Sequence, residues 1–218
     1  MSAGLAESTS APTITSLLRD PANLVTVLGL VSGLAGVHAA VTGSFALAAA
    51  LGVLAVVLDC VDGPVARRTR ERPAYMSRVG TELDSLADVV CSGVGPAVLV
   101  AAVASWHPGA LAAAVVVVVA STVRLAYFNA FGLADGAFTG LPVFYSPFVL
   151  GAVLAAAWLV TPRAAGAAGA VTLVVLALLN VSTLRVPKLR GRWFTGFMVA
   201  ATLLIGLLVV LALTEVDR

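Results

Sequence analysis

An all-α, polytopic membrane helix bundle is the fold class this sequence predicts, and three observations predict it. The 218 residues are 60% hydrophobic with a mean hydropathy of +1.04, above the roughly 45–50% apolar content of soluble domains. Apolar runs that approach or exceed the roughly 18 residues of a membrane-crossing helix recur along the chain. Only 11% of residues are charged, and nine of the 13 Lys and Arg fall in two clusters, Arg67 to Arg78 and Arg185 to Arg192. A net charge of +2 points to no nucleic-acid partner.

Taken in order, residues 1–12 are small and polar and lack the basic segment that opens a secretory signal, so we expect a disordered start. A single membrane-embedded domain should fill 13–218. Ile14 to Leu18, followed by Arg19, Asp20 and Pro21, reads as a short interfacial helix. The first span is expected at about 22–40 and the second at about 44–67, joined by a charge-free turn at Thr42 and Gly43. Pro64 should weaken the bond to the Cys60 carbonyl and bend the second span. A third runs over about 79–104, WHPG turns the chain, and a fourth runs over about 109–130. Spans five and six, about 142–161 and 165–184, flank TPRAA, and the basic loop RVPKLRGRW leads into a last span at about 194–213. With the amino terminus inside, both arginine-rich loops face the cytoplasm of a bacterial-type cytoplasmic membrane, because the turns at 41–43 and 105–108 carry no Lys or Arg.

The second and third spans meet at DCVDGPVARRTRERPAYMSRVGTELDSLAD, residues 59–88, with four aspartates and five arginines. An aspartate at the centre of a membrane helix costs roughly 2.5–3.5 kcal/mol, so four of them need positive partners. Asp59 and Asp62 are spaced i, i+3, and Asp84 and Asp88 i, i+4, so each pair projects from one face of its helix. A short loop makes the helices antiparallel neighbours. Four carboxylates around one point repel unless cations hold them ionised, and two divalent ions balance the formal charge. Hard carboxylate donors favour Mg2+, Mn2+ or Ca2+ over zinc or copper. Gly63 and Ala66, at i+4 and i+7 from Asp59, keep that face low enough for a ligand, and Gly80 clears the opposite wall. Arg67 can reach a phosphate oxygen.

In order, Asp59, Asp62, Gly63, Ala66, Arg67, Gly80, Asp84 and Asp88 match the signature D-x2-D-G-x2-A-R…G-x3-D-x3-D. The chain thereby resembles the CDP-alcohol phosphotransferases, with a loop of twelve residues between Arg67 and Gly80 that is longer than is usual there. DSLADVVCSGVGPA (84–97), VRLAYFNAFGLADGAFTGLPV (123–143) and LNVSTLRVPKLRG (179–191) are similar to the phosphatidylserine synthase branch, and NLVT (23–26) to the family's opening motif. The resemblance implies a six-helix core, here with one extra carboxy-terminal span and the short interfacial helix. It implies two divalent cations, Mg2+ or Mn2+, with Asp59, Asp62, Asp84 and Asp88 as the metal-binding set and Asp88 also the base. It further implies Gly63, Ala66, Arg67 and Gly80, with Asn23 and Thr26, as contacts for the CDP moiety. The reaction implied moves a phosphatidyl group from CDP-diacylglycerol to L-serine and releases CMP, in a homodimer among membrane lipids.

For the acceptor we single out Arg124, an isolated arginine in the fourth span, as the partner of the serine carboxylate, and Asn129 as a further contact. Glycerol 3-phosphate or inositol phosphate as acceptor would call for an additional basic cluster within the helices. An ion-coupled transporter would place acidic residues near the midplane of discontinuous helices with repeat symmetry, and the sequence has neither. Cys60 and Cys91 read as packing residues, and His38 and His107 lie too far from the aspartates to complete a site. Arg185, Lys188, Arg190 and Arg192 are expected to set topology and meet anionic lipid.

Overall fold

A computed structural model describes residues 13–69 and 73–214; the disordered start expected for 1–12 lies outside them. The chain is a helical bundle. A short 3-10 helix, Ile14–Arg19, leads into α1 (Pro21–Val41), α2 (Phe45–Arg68), α3 (Ala74–Asp88), a π-helical turn (Val89–Val94), α4 (Gly95–Val103) and α5 (Pro108–Phe131). After strand β1 (Ala137–Thr139) come α6 (Tyr145–Val160), α7 (Ala165–Asn180), strand β2 (Arg185–Pro187) and α8 (Arg192–Leu213). Among the described residues six helical segments are long and apolar enough to cross a membrane, with α3, the π turn and α4 acting as one span. The chain is an integral membrane protein. The seventh apolar helix, α6, has 16 residues, about 24 Å at 1.5 Å per residue and short of a roughly 30 Å hydrocarbon core.

Small residues let the helices approach closely. A Cβ on Gly36 would stand 3.1 Å from the Ala48 carbonyl oxygen, and one on Gly33 would meet Cys91 Sγ, so α1 lies almost backbone to backbone against α2 and the π turn. Ser32 Oγ donates to the Leu51 carbonyl at 2.8 Å across the α1–α2 contact. The core continues through Val53, Val100, Val117, Leu150, Leu154 and Leu173, while Leu28, Val119, Leu178 and Leu203 face outward as lipid-facing side chains do.

The structure departs from the sequence-based expectation in four places. The third span starts at Ala74 and contains the π turn; Pro96 lacks the N–H that would bond the Ser92 carbonyl, and the Gly95 N–H donates instead to Val90. Span five begins only at Tyr145, because Gly140 (φ +73°) turns the chain just ahead of Pro142. Span six stops at Asn180, since Arg185–Pro187 pairs antiparallel with Ala137–Thr139. Arg185, expected at lipid headgroups, donates to Asp135 Oδ2 at 3.3 Å and to the Ala134 carbonyl at 3.2 Å, closing that ribbon. The charge-free turn falls at Thr42–Ser44, with Gly43 at φ +89°, and α2 continues through Pro64. His107 caps α5, its Nδ1 accepting from the Gly109 N–H at 3.2 Å.

Gly140 sits against the Asn180 backbone, leaving no room for a Cβ, whereas Gly136, also at positive φ, faces open space. Asn180 in turn is buried between α5 and α7, in the amide orientation where it donates to the Leu141 and Leu176 carbonyls and accepts from Ser121 Oγ. Alanine at either glycine carries about 1–2 kcal/mol of left-handed strain. Gly140→Ala adds a clash, so it should lower the Tm of the detergent-solubilised protein clearly more than Gly136→Ala. Equal shifts would remove the Asn180 contact as a constraint.

Candidate active site

The aspartates occupy the ends of α2 and α3 that face each other, with α1 packed against both. Asp59 and Asp62 project from the last turns of α2, and Asp84 enters from α3, one turn after Gly80. Ligand atoms of Asp59, Asp62 and Asp84 all lie within 4.8 Å of one another. Oxygens on opposite sides of an ion bound at roughly 2.1–2.4 Å are about 4.2–4.8 Å apart, so the three fit around one hard cation. Asp88, one turn further into the span, stands outside this group. It lines a narrow cavity of about 10 Å³, the size of a single water, with Asp59, Thr26, Gly29, Cys91 and Ser92, and Ser92 on the π turn is its polar neighbour.

Beside the three carboxylates a cleft of about 140 Å³ opens to solvent. Gly63, Ala66, Gly80, Asn23 and Thr26, the residues read as nucleotide contacts, line it together with Asp62 and Asp84. Each lacks bulk where the wall must be flat or is small and polar. Arg67 is exposed at its rim, its Nη1 3.4 Å from where a Gly63 Cβ would stand, so the guanidinium overhangs the low wall. Thr26 Oγ1 donates to Asp62 Oδ2 at 2.7 Å. Asn23 is 1% exposed, and its amide donates to the Leu17 carbonyl at 3.1 Å and contacts Met76 Sδ at 3.4 Å.

Arg124 lies inside the bundle at 6% exposure, not at a lipid-facing surface. Its guanidinium carbon is 5.2 Å from the Phe128 ring centroid and 5.3 Å from that of Phe138, contacts that favour a cation. Asp88 is its electrostatic neighbour, yet Nε and Nη2 have no hydrogen-bond partner in the protein. Such donors are costly to bury unpaired and are ready for an anion. Asn129, expected at the same place, is exposed and pairs with Ser85, donating through Nδ2 at 3.0 Å and accepting at Oδ1 at 3.1 Å; it lines neither the cleft nor the cavity.

Sequence reasoning missed Ser77 and Thr81 on the cleft wall and Ser92 beside Asp88. Ser77 and Thr81 sit at i−3 and i+1 from Gly80, a helical spacing that marks one side of α3. For Ser92, the signal was Pro96, four residues on, which widens the helix at that turn.

Comparison with known proteins bears on the same region. The family model described as CDP-alcohol phosphatidyltransferase matches residues 20–178. The archaetidylserine synthase of Methanothermobacter thermautotrophicus is 29% identical over 179 residues, covering 82% of this chain and 73% of that protein. The CDP-diacylglycerol–serine O-phosphatidyltransferase of Mycobacterium leprae is 37% identical over 155 residues, 71% of this chain and 46% of that one. Its namesake in Helicobacter pylori strain J99 is 36% identical over 109 residues, 49% and 44% of the respective chains. This chain thus spans less than half the length of those two relatives.

Three carboxylates this close should make folded-state stability depend on divalent metal. Mn2+ or Mg2+ should raise the Tm of the chelator-stripped protein, and Asp84→Asn should abolish the rise. A wild-type Tm indifferent to both ions would rule the cluster out as a metal site.

Proposed function

This chain belongs to the CDP-alcohol phosphatidyltransferase family, and from that premise we propose that it transfers a phosphatidyl group from CDP-diacylglycerol to the hydroxyl of L-serine. The observation that carries the reading is the gathering of Asp59, Asp62 and Asp84 at the edge of a cleft walled by Gly63, Ala66 and Gly80. The names of the similar proteins, two of them serine transferases, support the same acceptor.

The three clustered aspartates, with Asp88 on a second ion, would hold two divalent cations, Mg2+ or Mn2+. Bound there, the metal supplies charge neutralisation for the diphosphate and the departing phosphate. The low wall at Gly63, Ala66 and Gly80 lets the CDP moiety lie against the helices, and Arg67 at the rim holds a phosphate oxygen. Asp88 accepts the hydroxyl proton of serine as the serine oxygen bonds to the phosphorus carrying the diacylglycerol. The bond from that phosphorus to the bridging oxygen breaks, and CMP leaves with the bridging oxygen.

Arg124 binds the serine carboxylate through its unpartnered nitrogens. It is the one buried Lys or Arg among the described residues, a supply of charge that suits a carboxylate better than the phosphate of glycerol 3-phosphate or inositol phosphate. Among the described residues Arg19, Arg67, Arg68, Arg78 and the Arg185–Arg192 cluster lie at the aspartate-bearing ends of the spans, against Arg163 at the other ends. The positive-inside rule then turns the site toward the cytoplasm of the cytoplasmic membrane. Assembly as a homodimer, implied by the resemblance, is open to crosslinking.

Purified protein, given CDP-diacylglycerol, Mn2+ and labelled serine, glycerol 3-phosphate or inositol phosphate in turn, should yield phosphatidylserine. A lipid product with another acceptor alone would overturn the serine assignment, and none with any would overturn the transferase. Arg124→Ala should raise the KM for serine by about tenfold or more, the loss of a charge-assisted pair, with the KM for CDP-diacylglycerol little changed; equal effects on both would make Arg124 structural. Asp88→Asn should abolish turnover and leave CDP-diacylglycerol binding largely intact. Lost binding with normal residual catalysis would remove Asp88 as the base.

A further inference from the structure

Asn23 and Thr26 line the cleft, but their side chains are engaged by the protein itself. Asn23 bridges the 3-10 helix at Leu17 and the first turn of α3 at Met76. Thr26, 6% exposed on the second turn of α1, faces Asp62 across the α1–α2 contact. Its Oγ1 lies 2.7 Å from Asp62 Oδ2 and 3.1 Å from the Ala22 carbonyl one turn back. A threonine hydroxyl has a single proton, and the shorter, charge-assisted contact is the stronger acceptor. Little water competes at that exposure. We propose that Thr26 is a positioning residue for metal binding: its hydroxyl fixes the Asp62 carboxylate so that Asp62 meets Asp59 and Asp84 at one ion.

The geometry gives the reason such a bond is needed. Asp62 lies in the last two turns of α2, two residues before Pro64, where the proline withdraws one helical hydrogen bond. Asp62 also has like charge on two sides within 4.8 Å, which drives its side chain away from its neighbours before a cation arrives. A hydroxyl donor on the facing helix opposes that drift. Partners of this kind, behind a metal ligand, are worth about 10–100-fold in metal affinity.

This inference rests on the metal site of the proposed transferase, and its test is read without turnover. The Tm of chelator-stripped, detergent-solubilised protein is followed as Mn2+ is added, for wild type, Thr26→Val, Thr26→Ser and Thr26→Ala. The midpoint of the Mn2+-induced rise should move about tenfold or more to higher concentration in Thr26→Val and stay within about threefold of wild type in Thr26→Ser. If Thr26→Val does not fold, the comparison of Thr26→Ser with Thr26→Ala, which differ by the hydroxyl alone, decides in the same way. An unmoved midpoint in the variants lacking the hydroxyl overturns the proposal, as does a serine variant impaired as much as they are, which would make the role one of packing. A KM for CDP-diacylglycerol at saturating Mn2+ that rises while the midpoint holds also overturns it, because the hydroxyl would then contact nucleotide. A wild type that ignores Mn2+ sinks this inference together with the metal site; a wild-type response retained in Thr26→Val sinks this inference alone.

Discussion

Repulsion among carboxylates held near a membrane surface is the constraint on which the rest of the structure turns. Each such charge is expensive by itself, and three with ligand atoms inside 4.8 Å are tolerable only where packing forces them together and a cation can join them. The packing comes from the opposite kind of residue. Gly29, Gly33 and Gly36 on α1 sit against Ala55, Cys91 and Ala48, so α1 closes on α2 and the π turn with almost no side chain between. Without that approach Thr26 could not reach Asp62, and Asn23 could not reach Met76. The most hydrophobic and the most charged stretches of the sequence are thus parts of one device.

What could be read from the sequence follows from this. The aspartates repeat at i, i+3 and i, i+4, a helical period that survives any detail of loop or turn, and Gly63, Ala66 and Gly80 share those faces. The gathering of Asp59, Asp62 and Asp84 beside the low wall of Gly63, Ala66 and Gly80 was therefore legible, as was the approximate course of the spans, whereas the separate place of Asp88 and the ends of spans five and six were not. Features that depend on partners distant in sequence were not. The ribbon between Ala137–Thr139 and Arg185–Pro187 joins segments whose local composition reads as loop. Gly140 looks like an ordinary turn glycine until the Asn180 backbone is seen against it. Asn23 and Thr26 were placed at the right cleft, but which atoms their side chains meet depends on α2 and α3, outside any local motif.

The acceptor side has a different logic. Arg124 is held by aromatic faces and by proximity to Asp88, and two of its nitrogens remain unpaired in the protein. A full ion pair with Asp88 would satisfy the arginine but occupy the proposed base. Leaving the guanidinium on Phe128 and Phe138 keeps it charged and oriented while Asp88 keeps Ser92 as its neighbour. In the proposed reaction the anion of the acceptor completes this set, and binding it pairs donors whose burial is otherwise unfavourable.

The family match ends at residue 178, yet α8, beyond it, packs along α2 and against α6. Its Phe197 contacts Phe144, Tyr145 and Phe148, with ring centroids 5.8, 5.7 and 5.1 Å away, at the end of the bundle that carries the aspartates. The helix bearing Asp59 and Asp62 is therefore supported on two sides, by α1 and by α8. Pro64 weakens α2 just where its ligands project, and a helix missing an internal bond is held straight only by its neighbours. The carboxy-terminal helix, which contributes no residue to the cleft, thus belongs to the structural basis of the site, because it limits how far α2 can yield when the charges on it repel.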